Sequence, residues 1–122
     1  MAKILLIDDS KTSIKNLIDS LRELAGIEFF EAKNGQEGLD SVAKNKPDCV
    51  VCDLNMPGTD GYFFLENLRK SGNAVPVIIV SADVSDASRS RVLSLGAHSL
   101  LKKPIFGLPS ELKNIVKAVL KI

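Results

Sequence analysis

Five times along this sequence, a short apolar run alternates with a segment whose apolar residues recur at helical spacing. The first run, Lys3-Ile4-Leu5-Leu6-Ile7, ends in Asp8-Asp9. Ile14, Leu17, Ile18, Leu21 and Leu24 then keep a helical period, with Ser10 placed as an N-cap and Gly26 as the stop. A second strand is expected over Ile27–Ala32, and the turn signal Asn34-Gly35 leads into a helix over about 36–45. The third strand, 48–53, again ends in an acid. Phe63, Phe64 and Leu68 mark a third helix closing near Ser71-Gly72. The fourth strand, 75–81, has Pro76 at its entry, and Gly96 ends the helix that carries Val92, Leu93 and Leu95. Leu100-Leu101 is a short fifth strand, followed by a final helix with Leu112, Ile115, Val116 and Val119 on its apolar face.

Continuously apolar strands are buried on both faces, and strands that alternate with helices form a parallel sheet with right-handed crossovers. The expectation is therefore a doubly wound α/β fold of five strands and five helices. With 122 residues and no repeat or linker, one domain over 1–122 is expected. Sixteen basic against fifteen acidic residues argue against a generic binder of nucleic acid. No apolar stretch approaches the roughly 20 residues of a membrane span, and the N-terminus has no signal-peptide anatomy. A cytoplasmic protein is expected.

Cys49 and Cys52 are spaced C-x-x-C, a zinc or redox spacing, but no second ligand pair accompanies them. In a strand, residues i and i+3 point to opposite faces about 10 Å apart, beyond the reach of a disulfide. Buried thiols are the better reading. His98 reads as a surface residue.

In an open parallel sheet the site lies at the carboxyl ends of the strands, near the switch in strand order. Asp8 and Asp9 end the first strand, Asp53 the third, Ser81 the fourth and Lys103 the fifth. Two unit charges about 5 Å apart cost roughly 3 kcal/mol at an effective dielectric of about 20. Three gathered carboxylates therefore need protons or a cation. Oxygen ligands without nearby His or Cys suit a hard ion, Mg²⁺ before Ca²⁺. The plainer reading, an N-cap at Asp9 or Ser10, explains one acid and not three. Pro104 keeps Lys103 out of helical geometry.

The combination Ile7-Asp8-Asp9-Ser10, Asp53-Leu54-Asn55-Met56-Pro57-Gly58-Thr59-Asp60-Gly61, Val80-Ser81-Ala82 and Lys103-Pro104 resembles the receiver domain of two-component response regulators, of the single-domain chemotaxis type. The likeness runs from Lys3 to the last helix. It implies a flavodoxin-like sheet of order 2-1-3-4-5, with Asp53 as phosphoacceptor. It implies Mg²⁺ held by Asp8, Asp9, Asp53 and the Asn55 carbonyl, and a phosphate met by Ser81, Ala82 and Lys103, with Pro104 in support. It also implies a histidine kinase or phosphotransfer protein as donor, a downstream protein target, and no direct contact with nucleic acid or membrane. Many receivers carry an aromatic residue three positions before the lysine; here Leu100 stands there.

Two other readings compete with the phosphorylatable switch. A pseudo-receiver would use the fold as a binding module without phosphorylation, but no acid, acceptor or lysine is missing. A flavin or nucleotide binder would want a phosphate loop after the first strand, where this chain has Asp8-Asp9-Ser10-Lys11. Lys113, Lys117 and Lys121 recur every four residues on the last helix, with Arg89, Arg91 and Lys102 on elements beside it. They read as a solvated face or, more sharply, as a basic docking surface.

Overall fold

A computed structural model of the chain describes residues 2–103 and 111–122. Strands β1 (Ala2–Ile7), β2 (Ile27–Ala32), β3 (Cys49–Asp53), β4 (Val77–Ser81) and β5 (Ser99–Lys102) form one parallel sheet in the order β2-β1-β3-β4-β5. Helices α1 (Lys11–Leu21), α2 (Gly35–Asn45), α3 (Gly61–Lys70), α4 (Asp86–Ser94) and α5 (Glu111–Leu120) alternate with them. This is the expected doubly wound architecture.

Strand periodicity sorts the core into two halves. Leu5, Ile7, Val50, Cys52, Val77, Ile79 and Leu100 face α2, α3 and α4, where Val42, Phe64, Leu68 and Val92 meet them. Ile4, Leu6, Cys49, Val51, Ile78, Val80 and Leu101 face the other way, onto Leu17 and Leu21 of α1 and Leu112 and Val116 of α5. β3 and β4 are buried along their whole length, which is why they read as unbroken apolar runs. A fully buried Phe64 or Leu17 contributes about 1.5–3 kcal/mol by leaving water. Cys49 and Cys52 lie in opposite halves, both free and buried. Burial pushes the Cys49 thiol up to about 12 and raises that of Cys52 as well. Such thiols are protonated and inert.

Helix ends follow local chemistry. Ser10 caps α1 by accepting from Ser13 N–H, Asn34 caps α2 through Glu37 N–H, and Asp60 caps α3 through Phe63 N–H. Asn34-Gly35, expected as a turn, is thus the start of α2. α2 lies close on α3 because Gly38 presents no side chain: a Cβ there would strike Ile7 and Phe64. Among the boundaries that differ from expectation, two bear on packing. α1 stops at Leu21, and Leu24 packs on the core from a following turn, its N–H bonded to Leu21 O. β4 starts at Val77, although Pro76 O still accepts from Val50 N–H. Among the described residues, no helix is long and apolar enough to cross a membrane.

Candidate functional site: an acidic pocket at the strand switch

The sheet order reverses at β1, whose neighbours are β2 and β3. The carboxyl ends of β1 and β3 therefore flank the crevice where ligands bind in this architecture. Asp8 follows β1 directly, and Asp53 is the last residue of β3. Both are buried, at 3% and 7% exposure, whereas Asp9 is exposed. One carboxylate oxygen from each of Asp8, Asp9 and Asp53 lies within 4.8 Å of the others.

The pocket is partly neutralised from the far side of the sheet. Lys103 follows β5, and its N–H donates to Ser81 O at 2.9 Å, which sets the lysine beside the end of β4. Its Nζ reaches inward to Asp8 Oδ2 at 2.8 Å and Asp53 Oδ2 at 3.3 Å. Burial alone would lower the Lys103 pKa, but the Asp8 hydrogen bond and the charges of Asp53 and Asp8 outweigh it and hold the ammonium above its ordinary value. For Asp53, burial and the Asp8 charge win over Lys103, and its pKa is raised. One ammonium thus faces two buried carboxylates, with a third acid at the rim.

Each remaining acceptor site has a local reason for its orientation. Asp8 Oδ1 accepts from Ser10 N–H at 2.9 Å, so Asp8 is aimed into the pocket by the same turn that starts α1. Asn55 N–H approaches Asp53 Oδ1 at 3.5 Å, and the Asn55 side chain is exposed. Ser81 is fully buried, its Oγ accepting from Asp83 N–H at 3.1 Å. Ala82 is exposed at the rim, and Leu100 is buried in the core against α4. The loop after β3 fits only because residue 61 is glycine: a Cβ there would strike Asp53 O. Pro104 lies outside the described residues.

An oxygen-only donor set with two buried acids fits a hard divalent cation. The geometry brings together Asp8, Asp9, Asp53 and Lys103, with Asn55 beside Asp53 and Ser81 joined to Lys103 through the backbone. The basic face is less uniform than the lysine spacing suggests. Arg91 turns away to lie 3.8 Å over the Tyr62 ring of α3, and Lys113 Nζ bonds Glu23 Oε2 at 2.6 Å. His98 is exposed, as expected.

Two organising residues have no role in the sequence reading, where Thr59 stands only as part of the 53–61 motif. Arg69 of α3 donates to Asn73 O and Val75 O at 2.9 Å each and to Gly96 O at 2.7 Å. Thr59 bonds the start of α2. Neither belongs to a chemical constellation; their partners are loop backbone and a capping side chain distant in sequence.

Residues 4–117 match the family model described as the response regulator receiver domain. The transcriptional regulatory protein PrrA of Mycobacterium tuberculosis is 39% identical over 119 residues, which are 98% of this chain and 50% of PrrA. The KDP operon transcriptional regulatory protein KdpE of Escherichia coli is 35% identical over 121 residues, 99% of this chain and 52% of KdpE. This chain thus spans about half the length of such relatives. Among solved structures, a two-component response regulator from Clostridium difficile superposes with a TM-score of 0.88 at 28% identity, covering 99% of this chain and 97% of that one. The chemotaxis response regulator CheY4 of Vibrio cholerae gives 0.84 at 29%, covering 98% of each. An acidic pocket at the switch point, the strand order around it and these likenesses agree: the chain belongs to the response regulator receiver domain family.

Proposed function

We propose that this chain is a phosphoacceptor switch in which Asp53 takes a phosphoryl group from a phosphohistidine on a sensor histidine kinase or phosphotransfer protein. The observation that carries the reading is the Lys103 ammonium held between Asp8 and Asp53, with Asp9 completing a three-carboxylate group. In the step, an Asp53 carboxylate oxygen forms the new O–P bond. The N–P bond of the donor breaks, and its electron pair and a proton from solvent remain with the imidazole.

Phosphoryl transfer depends mainly on positioning and charge neutralisation. Asp8, Asp9, Asp53 and the Asn55 carbonyl would hold Mg²⁺, which when bound supplies positive charge beside the phosphoryl oxygens. Lys103 pairs with another of those oxygens. The Ser81 hydroxyl and Ala82 N–H donate to the rest. Water attack on phosphorus later restores the carboxylate, and the same groups assist that step. Residues 1–122 act as one receiver unit, working in the cytoplasm.

The output is a change in the face made by α4, β5 and α5. Phosphorylation adds charge and acceptors at Asp53, and Ser81 turns toward them. The loop after β4 follows, and Leu100 repacks behind it. A downstream protein reads the new surface as a population shift between two arrangements.

The test is incubation with Mg²⁺ and acetyl phosphate, followed by mapping of the modified residue. The expected result is a base-labile phosphoryl group on Asp53 that requires Mg²⁺ and is absent in Asp53→Asn. Modification elsewhere, or none with Mg²⁺ present, overturns the assignment.

A further inference from the structure

The loop that leaves the acceptor strand is tied at its far end to a helix from a different crossover. Residues 54–60 connect β3 to α3, and the base of this loop is closed by Gly61 N–H donating to Leu54 O at 3.0 Å. Near its end, Thr59 meets the start of α2. Gly35 N–H donates to Thr59 O at 2.8 Å, and Gln36 N–H donates to Thr59 Oγ1 at 2.8 Å. The Thr59 hydroxyl in turn donates to Asn34 Oδ1 at 3.3 Å, an oxygen that also accepts from Glu37 N–H at 2.9 Å.

The first N–H groups of a helix have no partner within it. Here Thr59 and Asn34 together satisfy three of them. A threonine hydroxyl has one donor and two acceptor sites, and this one uses its donor and one acceptor. The segments are in backbone contact: a Cβ on Gly35 would lie 2.7 Å from Asp60 O. Asn55 sits in the same loop with an exposed side chain, and its own N–H reaches Asp53 Oδ1 only at 3.5 Å. Leu54 and Met56 on either side of Asn55 are buried in the core, so the path of the loop past the pocket is set by that packing and by the tie at Thr59 more than by contacts of Asn55 itself.

We propose that Thr59 is a positioning residue, whose hydroxyl straps the loop after β3 to the N-terminus of α2 and thereby directs the Asn55 carbonyl toward the pocket's cation. The proposal rests on the receiver reading of the site. Thr59→Val keeps nearly the same shape and has no hydroxyl, so it leaves Gln36 N–H without its acceptor and Asn34 Oδ1 with Glu37 N–H alone. Serine keeps both bonds.

Calorimetric titration with Mg²⁺ alone, well below the melting temperature, tests this on the wild-type chain and on Thr59→Val, Thr59→Ala and Thr59→Ser. Loss of the hydroxyl is expected to weaken Mg²⁺ binding about tenfold, the lower end of the range for groups that orient metal ligands. Thr59→Ser is expected to restore it. A purely structural hydroxyl would lower the melting temperature and leave the Mg²⁺ affinity of the folded protein unchanged, and that result overturns the proposal. Failure of serine to rescue does the same. If Thr59→Val does not fold, Thr59→Ala, which removes the same hydroxyl without a second methyl, decides the matter. A wild-type chain that takes up no Mg²⁺ sinks the reading of the pocket itself, and the strap with it.

Discussion

Lys103 Nζ lies 2.8 Å from Asp8 Oδ2, joining residues that are 95 positions apart in the chain. The bond spans the sheet from the end of β5 to the end of β1, across the mouth of β3. It is also the main compensation for two acids that burial would otherwise penalise. Removing one partner of a buried pair leaves the other uncompensated.

Lys103→Met should therefore lower stability at pH 7 by about 1–3 kcal/mol. The sign of the pH dependence follows from the raised pKa of Lys103. Its contribution in the wild type is fully present below the ordinary lysine value of 10.5 and is lost as pH rises through the folded-state value. The variant's deficit should shrink in acid as Asp53, whose pKa is raised by burial, takes up its proton and no longer needs the ammonium. Denaturant melts across pH check both limbs, and a deficit independent of pH would contradict the charge argument.

Asp53→Asn should do the opposite at neutral pH. The Asp53 pKa is raised above 3.8 by burial and by Asp8. As pH rises through 3.8 the unfolded chain releases this proton first, so the folded state loses stability until pH passes the folded value. The cost then persists to neutrality. The variant should melt at a higher temperature than wild type at pH 7, and the gap should close as pH falls toward 3.8. A variant less stable than wild type at pH 7 would show that Lys103 outweighs burial.

Strands and pocket were legible in the sequence for a common reason. A parallel strand buried on both faces must be apolar throughout, so Val50-Val51 and Ile78-Ile79 announce themselves, and the acids that end such runs fall at one edge. Boundaries were less legible. Leu24 keeps the helical spacing of α1 although the helix has already ended at Leu21, because spacing reports which way a side chain faces and not whether the backbone ladder continues. Arg91 was grouped with the basic residues of the last helix, yet it lies over Tyr62. The direction of a long side chain is set by a neighbour that only the fold supplies. The roles of Arg69 and Thr59 were illegible for the same reason: their partners on distant elements come only from the fold.

Arg69 yields the next prediction. Its guanidinium gathers three carbonyls, those of Asn73, Val75 and Gly96, at the ends of α3 and α4. Gly96, at a φ of +97°, packs so closely that a Cβ would lie 2.8 Å from Arg69 Nε. Arg69→Met should cost about 1–3 kcal/mol by leaving part-buried carbonyls unpaired. Arg69→Lys should recover little, because one ammonium cannot reproduce a planar fork. Urea melts measure the loss. Faster amide exchange at Ala97 and His98, whose N–H groups bond Val92 O and Val77 O, would locate it. Full rescue by lysine would argue against the fork.

The last prediction concerns how α4 is held. This helix has nine residues and buries only Val92, so neither propensity nor an apolar face fixes it. Its N-terminus is tied instead to the end of β4. Asp83 N–H donates to Ser81 Oγ, Asp83 Oδ1 accepts from Ser85 N–H at 2.9 Å, and Asp83 Oδ2 accepts from Ser88 Oγ at 2.7 Å. The hydrogen bonds from Ser88 and Ser85 hold the Asp83 carboxyl below its ordinary value of 3.8. That contribution is present above 3.8 and lost as pH falls through the lower, folded value. Asp83→Ala should speed amide exchange throughout the first turn of α4 while leaving β4 protected. Asp83→Asn keeps an acceptor for Ser85 N–H and should show an intermediate effect without the acid dependence. Hydrogen exchange resolved by NMR checks this residue by residue. Unchanged protection in Asp83→Ala at Ser88 and Arg89, whose N–H groups bond Ser85 Oγ and Ser85 O, would mean that the Ser85 cap and Val92 hold α4 without Asp83.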